Sequence, residues 1–368
     1  MKDSGDIAGT GIPFTIGVAA GTILTAVQGH ISISIPLTIS GLLLVLATSV
    51  FMVADSSRPR RTIFAVIFFL AGSLCAFNAT LGAGIPIPKG PVGKLAAREC
   101  QKLKSLIDSV PYPSPTTSSL VKALLTGDRS SLGKDIIQIF RASGASHILA
   151  LSGLHLGILY IVLARLTSPF GNSPRARVAR YCLTLGATGF YTVMTGASPS
   201  IVRAMLFITI DQTAKLLGRT RHPVGTFLTA LTIQLAIKPE VITSLGFQLS
   251  YLAMAGIVII YPWLESLYPE SEGLPRKIDP MRKIWTGAVL SISCQVFTAP
   301  LVWFRFHTFP RYFLITNLTA LPLTSAVMVL SVATIALKSV GICPDLLIFL
   351  NDKAVSLLVG CLEIISSM

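Results

Sequence analysis

Apolar stretches about as long as a bilayer core is thick alternate with short polar segments along nearly the whole chain. The runs lie at about 12–27, 31–54, 62–80, 145–165, 178–195, 198–217, 222–237, 246–264, 284–303, 312–337 and 346–366. A helix needs roughly 17 to 25 apolar residues to cross a hydrocarbon core of about 30 Å. The pattern therefore predicts an all-α fold, a polytopic transmembrane helix bundle of 10 to 11 spans. The number is open because 222–237 is short and the last run carries Asn351, Asp352, Lys353 and Glu363, which also suit an amphipathic helix at the interface. The first run does not read as a cleaved signal peptide, since further spans follow and no small-residue cleavage pattern is clear.

One long interruption, 81–144, breaks the alternation. Within it Leu103, Leu106, Ile107 and Val110 form an amphipathic stripe, and Ile136, Ile137, Ile139 and Phe140 an apolar patch beside Lys134, Asp135 and Arg141. The Pro-rich break PYPSPTTSS separates the two, so short surface helices are expected, lying on the bilayer or over the mouth of the bundle. Three parts follow: 1–80 as a three-span N-terminal region, 81–144 as an extracytoplasmic basic amphipathic segment, and 145–368 as the main bundle.

Composition agrees with this reading. Of 368 residues, 52% are hydrophobic and 12% charged, the balance of a polytopic membrane protein. The six cysteines are scattered without CxxC spacing and read as small packing residues, with no disulfide framework, zinc site or other cofactor implied.

The formal charge of +14 raises the question of a polyanion partner. With the N-terminus cytoplasmic, the inner loops hold Arg58, Arg60, Arg61, Arg165, Arg175, Arg177, Arg180, Arg219, Arg221, Arg276, Lys277, Arg282 and Lys283, while the short outer loops hold only Lys238, Arg305 and Arg311. That asymmetry follows the positive-inside rule and accounts for much of the charge without any ligand. The segment 81–144 is the exception: placed outside, it carries nine cationic side chains against four acidic ones. A polyanion reading survives there.

Uncommon polar groups gather toward the outer side of the bundle. His147, Ser152 and His155 start one span, TGASPS (195–200) is an outer turn, and GFQLS (246–250) starts another span. Ser198 is placed to cap the helix that Pro199 begins, and Arg203 lies about one turn inside it. An arginine in a membrane helix must snorkel, pair or face water. Ser152 and His155, spaced i, i+3, have the makings of a nucleophile and base, but no nearby acid is visible. His147 and His155 share a face without a third metal ligand. Gly153 and Gly157 make a small-xxx-small packing face with His155 between them. Pro300 and Pro322, the latter near Asn317, interrupt backbone hydrogen bonding in the middle of their segments.

Together these stretches resemble the ComEC-type competence family, inner-membrane proteins that pass single-stranded DNA into the bacterial cytoplasm. The matching pieces run in family order: ALLTGDRSSL (123–132), FRASGASHILALSGLHLG (140–157), TGASPSIVRAML (195–206), LGFQLSYLA (245–253) and FPRYFLITNLTALPL (309–323). The resemblance implies a substrate pathway using Asp128, Arg129, His147, Ser152, His155, Ser198, Arg203, Gln248 and Ser250. The motifs also take in Gly153, Gly196, Pro199, Gly246, Asn317 and Pro322, and these are expected to be structural together with Gly157 of the small-residue face. Fuller members carry an OB-like domain and a metallo-β-lactamase-like domain, and neither is expected in this stretch. Nuclease action is thus not implied.

The expected function is a channel component for uptake of single-stranded DNA in natural transformation. The outer vestibule would offset phosphate charge with Arg129, Arg141 and Arg203 and offer hydrogen bonds from His147, His155 and Gln248. Aromatic stacking surfaces are few in the outer segment. Nothing resembles a P-loop, so partners implied are a cytoplasmic DNA motor, single-strand binding proteins, membrane lipids and further copies of the chain. The alternatives are a non-DNA transporter or lipid-handling protein on the same bundle, and an intramembrane hydrolase using Ser152 and His155.

Overall fold

The computed structural model describes residues 2–27, 43, 57–78, 91–171, 173–220, 222–269, 279–307, 309–342 and 345–368. The apolar run at 31–54, the start of the 81–144 segment, and Arg221, Arg276 and Lys277 lie outside the described residues. Among the described residues the fold is all-helical, with no strands.

Fifteen α-helices are followed below in chain order: α1 (Lys2–Val27), α2 (Ser57–Asn78), α3 (Pro91–Asp108), α4 (Pro115–Thr126), α5 (Lys134–Ala142), α6 (Ser146–Leu149), α7 (Gly153–Leu166) and α8 (Pro174–Met194). Then come α9 (Pro199–Leu216), α10 (Pro223–Ile237), α11 (Leu245–Ile259), α12 (Tyr261–Glu265), α13 (Pro280–Phe306), α14 (Phe313–Ser339) and α15 (Asp345–Ser367). Six of them begin on proline, whose missing N–H costs nothing in a first turn and whose ring fixes φ for the helix. Side-chain caps reinforce several: Ser114 accepts from Thr116 N–H, Ser173 from Ala176 N–H, and Asp279 from Met281 and Arg282 N–H.

By length and composition, Gly153–Phe170, Pro280–Phe306 and Phe313–Ser339 are long and apolar enough to cross a membrane. Gly11–Leu24, Ala65–Ala76, Pro223–Ile237 and Leu245–Ile259 are shorter apolar helices. Among the described residues, fewer helices meet the length and polarity demands than the 10 to 11 runs read from hydropathy. The apolar run at 246–264 is divided between α11 and α12, and α8, α9 and α15 each hold several charged side chains.

The chain forms two compact units. The first comprises Met1–Pro88 and Leu206–Tyr251. Its core is built from Phe14, Val18, Ala76, Leu235, Val241, Phe247 and Tyr251. Glycines let α1 and α2 touch backbone to backbone: a Cβ on Gly17 would collide with Phe69, and one on Gly72 with Phe14. Ser73 Oγ donates to the Gly17 carbonyl at 3.0 Å, adding a polar bond to that crossing.

The second unit comprises Lys89–Met205 and Leu252–Met368. Its core joins α4 to α14 and α15 through Leu120, Val121, Leu124, Val327, Met328, Val355 and Leu358. Between the two expected surface helices stands α4, which belongs to the core. Seven of its residues, Thr117, Leu120, Val121, Ala123, Leu124, Leu125 and Thr126, are buried, covering more than one face. A stripe of that width places the helix inside the unit. The amphipathic α3 and α5 keep exposed polar faces, with Lys94, Arg98, Lys134 and Arg141 exposed.

Two polar residues of α15, Asn351 and Asp352, are turned inward, whereas Lys353 and Glu363 are exposed. Thr117 Oγ1 donates to Asp352 at 2.6 Å, and Asn351 Nδ2 donates to Tyr112 OH at 3.2 Å and Ser331 Oγ at 3.0 Å. Burial pushes the Tyr112 phenol up to about 12. Two of the four groups that made the last run look like an interface helix thus tie it to α4 and α14.

Candidate functional site

The stretch TGDRS, after α4, is a closed knot of hydrogen bonds. Gly127 ends α4 in the left-handed region at φ 77° and donates its N–H to the Ala123 carbonyl at 2.9 Å. Asp128 accepts from Lys104 Nζ at 2.6 Å and from Ser130 N–H at 3.0 Å. The hydrogen bond from Lys104, helped by Ser130, holds the Asp128 carboxyl well below the usual carboxylate range, and the same bond raises Lys104. Arg129 Nε donates to the Leu149 carbonyl at 3.0 Å, and the open face of Gly127 abuts Leu151. The knot therefore clamps the segment that leads into α7.

At the start of α7, Ser152 is the N-cap and His155 stands at N3, where glutamate commonly closes a capping box. His155 Nδ1 accepts from the Ser152 N–H at 3.1 Å and lies 2.9 Å from Ser152 Oγ. A backbone N–H can only donate, so Nδ1 is the acceptor and the neutral ring carries its hydrogen on Nε2. His155 is 1% exposed, and its Nε2 has no hydrogen-bond partner. The serine–histidine contact is thus used as a helix cap. His147 is exposed, and its Nδ1 lies 3.2 Å from the Gly144 carbonyl, to which it donates.

The two glycines of this stretch differ. A Cβ on Gly153 would sit 3.3 Å from Ala204 Cβ and 3.7 Å from Arg203 Nη2, so α7 and α9 approach there. A Cβ on Gly157 would meet nothing within 4 Å, so the close approach expected of the pair rests on Gly153. The Arg203 guanidinium lies against the start of α7, with Nη2 3.7 Å from where a Cβ on Gly153 would stand.

Arg203 is delivered by the TGASPS turn. Gly196 and Ala197 both take positive φ, 84° and 48°, and Ala197 N–H returns to the Thr192 carbonyl at 2.9 Å. A left-handed alanine costs of order 1 kcal/mol, so neighbouring contacts must hold the turn. Ser198 contributes its backbone carbonyl to Val202 N–H at 3.0 Å, but its buried Oγ has no partner. The side-chain cap expected at Ser198 is therefore not formed; Pro199 starts the helix as expected.

The FPRYFLITN stretch closes the cluster. A Cβ on Gly144 would lie 2.8 Å from Pro310, and Thr316 Oγ1 donates to the Ser143 carbonyl at 2.7 Å. Asn317 Oδ1 is buried without a partner. Pro300 and Pro322 lie inside continuous helices, α13 and α14, with their side chains exposed. Three of the other four motif stretches, 123–132, 195–206 and 309–323, therefore each contact the 140–157 stretch within the second unit.

The fifth stretch divides between the units. Gln248 and Ser250 lie in the first, where Gln248 Nε2 donates to the Ile242 carbonyl at 2.9 Å and Ser250 is 9% exposed. Gly246 is exposed at the start of α11.

Sequence reading passed over Ser293, Gln295 and Thr324, which carry buried polar atoms without partners in α13 and α14. The signal was present in SISCQ (291–295), where polar side chains interrupt an apolar span. Among the described residues no group of three or more His, Cys, Asp or Glu side chains is gathered to hold a metal ion.

Comparison with known proteins gives this cluster a family context. The chain is 26% identical over 255 residues to the uncharacterized protein YcaI of Escherichia coli K12, covering 67% of this chain and 33% of that one. ComE operon protein 3 of Bacillus subtilis is 26% identical over 196 residues, 53% of this chain and 23% of its own length. Competence protein ComA of Neisseria gonorrhoeae is 28% identical over 214 residues, 57% of this chain and 29% of that protein. The chain thus spans about a quarter to a third of the length of these relatives. No solved structure matches it. The family model described as Competence protein matches residues 124–368, beginning within α4 and taking in all four stretches that meet around α7, and the chain belongs to that family.

Proposed function

We propose that this chain is a component of the bacterial inner membrane that forms part of the channel for single-stranded DNA during natural transformation. In this reading the helices make 10 to 11 crossings with the N-terminus cytoplasmic, and 81–144 faces outward. The strand meets Arg129, Arg141 and His147 first, then passes Ser152, His155, Ser198 and Arg203. Asp128 holds the mouth in shape through its ion pair with Lys104. A cytoplasmic motor supplies the pull, and single-strand binding proteins receive the strand.

The observation that carries this reading is the set of unpartnered polar atoms around α7: His155 Nε2, Ser198 Oγ and Asn317 Oδ1. Each such atom costs about 1–3 kcal/mol if nothing meets it. A bundle that keeps several favours a polar occupant, water at rest and a polar substrate in use. Family membership supports uptake of DNA over other polar cargo.

The test is transformation of a strain lacking the chain, with labelled DNA followed into the cytoplasm. Internalisation should drop to background and return when the intact chain is restored. Undiminished internalisation in the deletion strain overturns the proposal.

A further inference from the structure

We infer that the exposed side of α3 is a docking surface for the sugar–phosphate backbone of a single-stranded nucleic acid, held by Lys94, Arg98 and Lys102. The surface rests on the charges of α3, and the choice of a nucleic acid as its polyanion rests on the uptake reading. The three cations recur at i, i+4 and i+8, so they share one face of the helix, and all three are exposed. Gln101 and Ser105, on the same face, are exposed too. The opposite face is taken up by the protein: Ala96 and Ile107 are buried, and Leu103 and Leu106 pack against the core.

The acidic side chains nearby do not neutralise this face. Glu99 pairs with Lys102 at 2.7 Å, Asp108 with Lys122 of α4 at 2.6 Å and Asp128 with Lys104 at 2.6 Å. Lys94 and Arg98 are left with no carboxylate partner among the described residues. Like charges four apart repel and weaken a helix, and Lys94 with Arg98 and Arg98 with Lys102 are two such pairs. A polyanion lying along the strip relieves that repulsion and releases its own counterions. The bond between Lys104 and Asp128 holds the TGDRS loop against α3, and the exposed Arg129 next to it extends the basic surface toward the segment before α7. No aromatic side chain stands on α3 for a base to stack on, so its chemistry suits phosphates and not bases. Val92 and Leu95 are exposed at the start of the helix, which makes an anionic lipid surface the rival occupant. An interfacial helix inserts its apolar face, and here that face is packed inside the unit, so the strand is the better fit.

The experiment uses the intact chain in phosphatidylcholine nanodiscs and a fluorescent oligothymidylate of about twelve nucleotides, followed by anisotropy across a salt series. For a single strand, each phosphate contact contributes about 0.7 to the slope of log affinity against log salt. Lys94→Gln combined with Arg98→Gln should therefore lower the slope by about 1.4 and weaken binding about five- to ten-fold at about 50 mM salt. The loss should be the same for an abasic strand of equal length, because the strip reads no base. Arg175→Gln combined with Arg177→Gln, exposed on α8, removes the same charge elsewhere and should leave the slope unchanged. Arg98→Glu turns both repulsive spacings into attractive ones, so it should keep or raise the temperature of thermal unfolding while weakening binding about ten-fold or more.

A wild-type slope and affinity in the double variant of Lys94 and Arg98 overturns the surface, as does an equal fall in slope in the double variant of Arg175 and Arg177. Hydrogen exchange of the backbone of 94–105 separates the strand from the lipid surface. The oligomer should slow that exchange in phosphatidylcholine discs. If phosphatidylglycerol slows it and the oligomer does not, the strip is a lipid contact and the nucleic-acid assignment falls. The uptake reading fails separately, by normal transformation in the deletion strain.

Discussion

The TGDRS loop and the start of α7 hold similar kinds of side chain and treat them in opposite ways. In the loop, Asp128 is tied to Lys104 and Ser130, and Arg129 to Leu149. At the start of α7 and in the TGASPS turn, His155 Nε2 and Ser198 Oγ are buried with nothing to meet them. The first arrangement builds a rigid frame; the second leaves unsatisfied polar atoms on that frame. Motif membership alone does not separate these roles, whereas hydrogen-bond partners do.

Substitutions can break that contrast, and the largest effect is expected at Gly127. Gly127→Ala forces a Cβ into the left-handed region and into Leu151, and should lower unfolding stability by about 3 kcal/mol in detergent titration. Thr117→Val should cost about 2 kcal/mol, because Asp352 then stays inside the unit without its hydroxyl donor. Thermal unfolding of the two variants measures both.

Asp128→Asn should cost about 1 kcal/mol, since the ion pair with Lys104 is only partly shielded from solvent. The folded-state carboxyl is held below its unfolded value, so its contribution is complete above the ordinary carboxylate pKa of about 4 and fades as pH falls below it. Stability measured from pH 6 downward to about pH 3 should therefore fall more steeply in the wild type than in Asp128→Asn.

The smallest effect has the opposite sign. Ser198→Ala removes a buried hydroxyl that makes no hydrogen bond and should leave stability unchanged or raise it by about 0.5 kcal/mol, while internalisation of labelled DNA falls. A loss of stability as large as that of Asp128→Asn would show that the hydroxyl is a structural group, and the contrast between the two regions would collapse.

Much of the local structure was legible in the residues. Prolines at 91, 115, 174, 199, 223 and 280 each start a helix, and the left-handed Gly127 ends one. The paired Asp211 and Lys215, four apart on α9, lie 2.9 Å from each other as their spacing predicts. The candidate site was legible as a set of stretches. Which members are tied was not, because Lys104 with Asp128 and Arg129 with Leu149 join residues about twenty positions apart. Gly153 and Gly157 look equivalent in sequence and differ only in what faces them.

By itself the sequence determined the helical class, the apolar segments, the basic character of residues 81–144 and the family motifs, because periodicity, capping and short-range sterics act within a few residues. The tertiary structure alone decided that α4 is core, that Asn351 and Asp352 face inward, and that His155 Nε2 and Ser198 Oγ are left without partners. Those outcomes depend on which helices meet, as when Thr117 bonds Asp352 across 235 positions of chain. A buried polar group becomes structural or available according to its neighbours in space, and those neighbours come from distant parts of the chain.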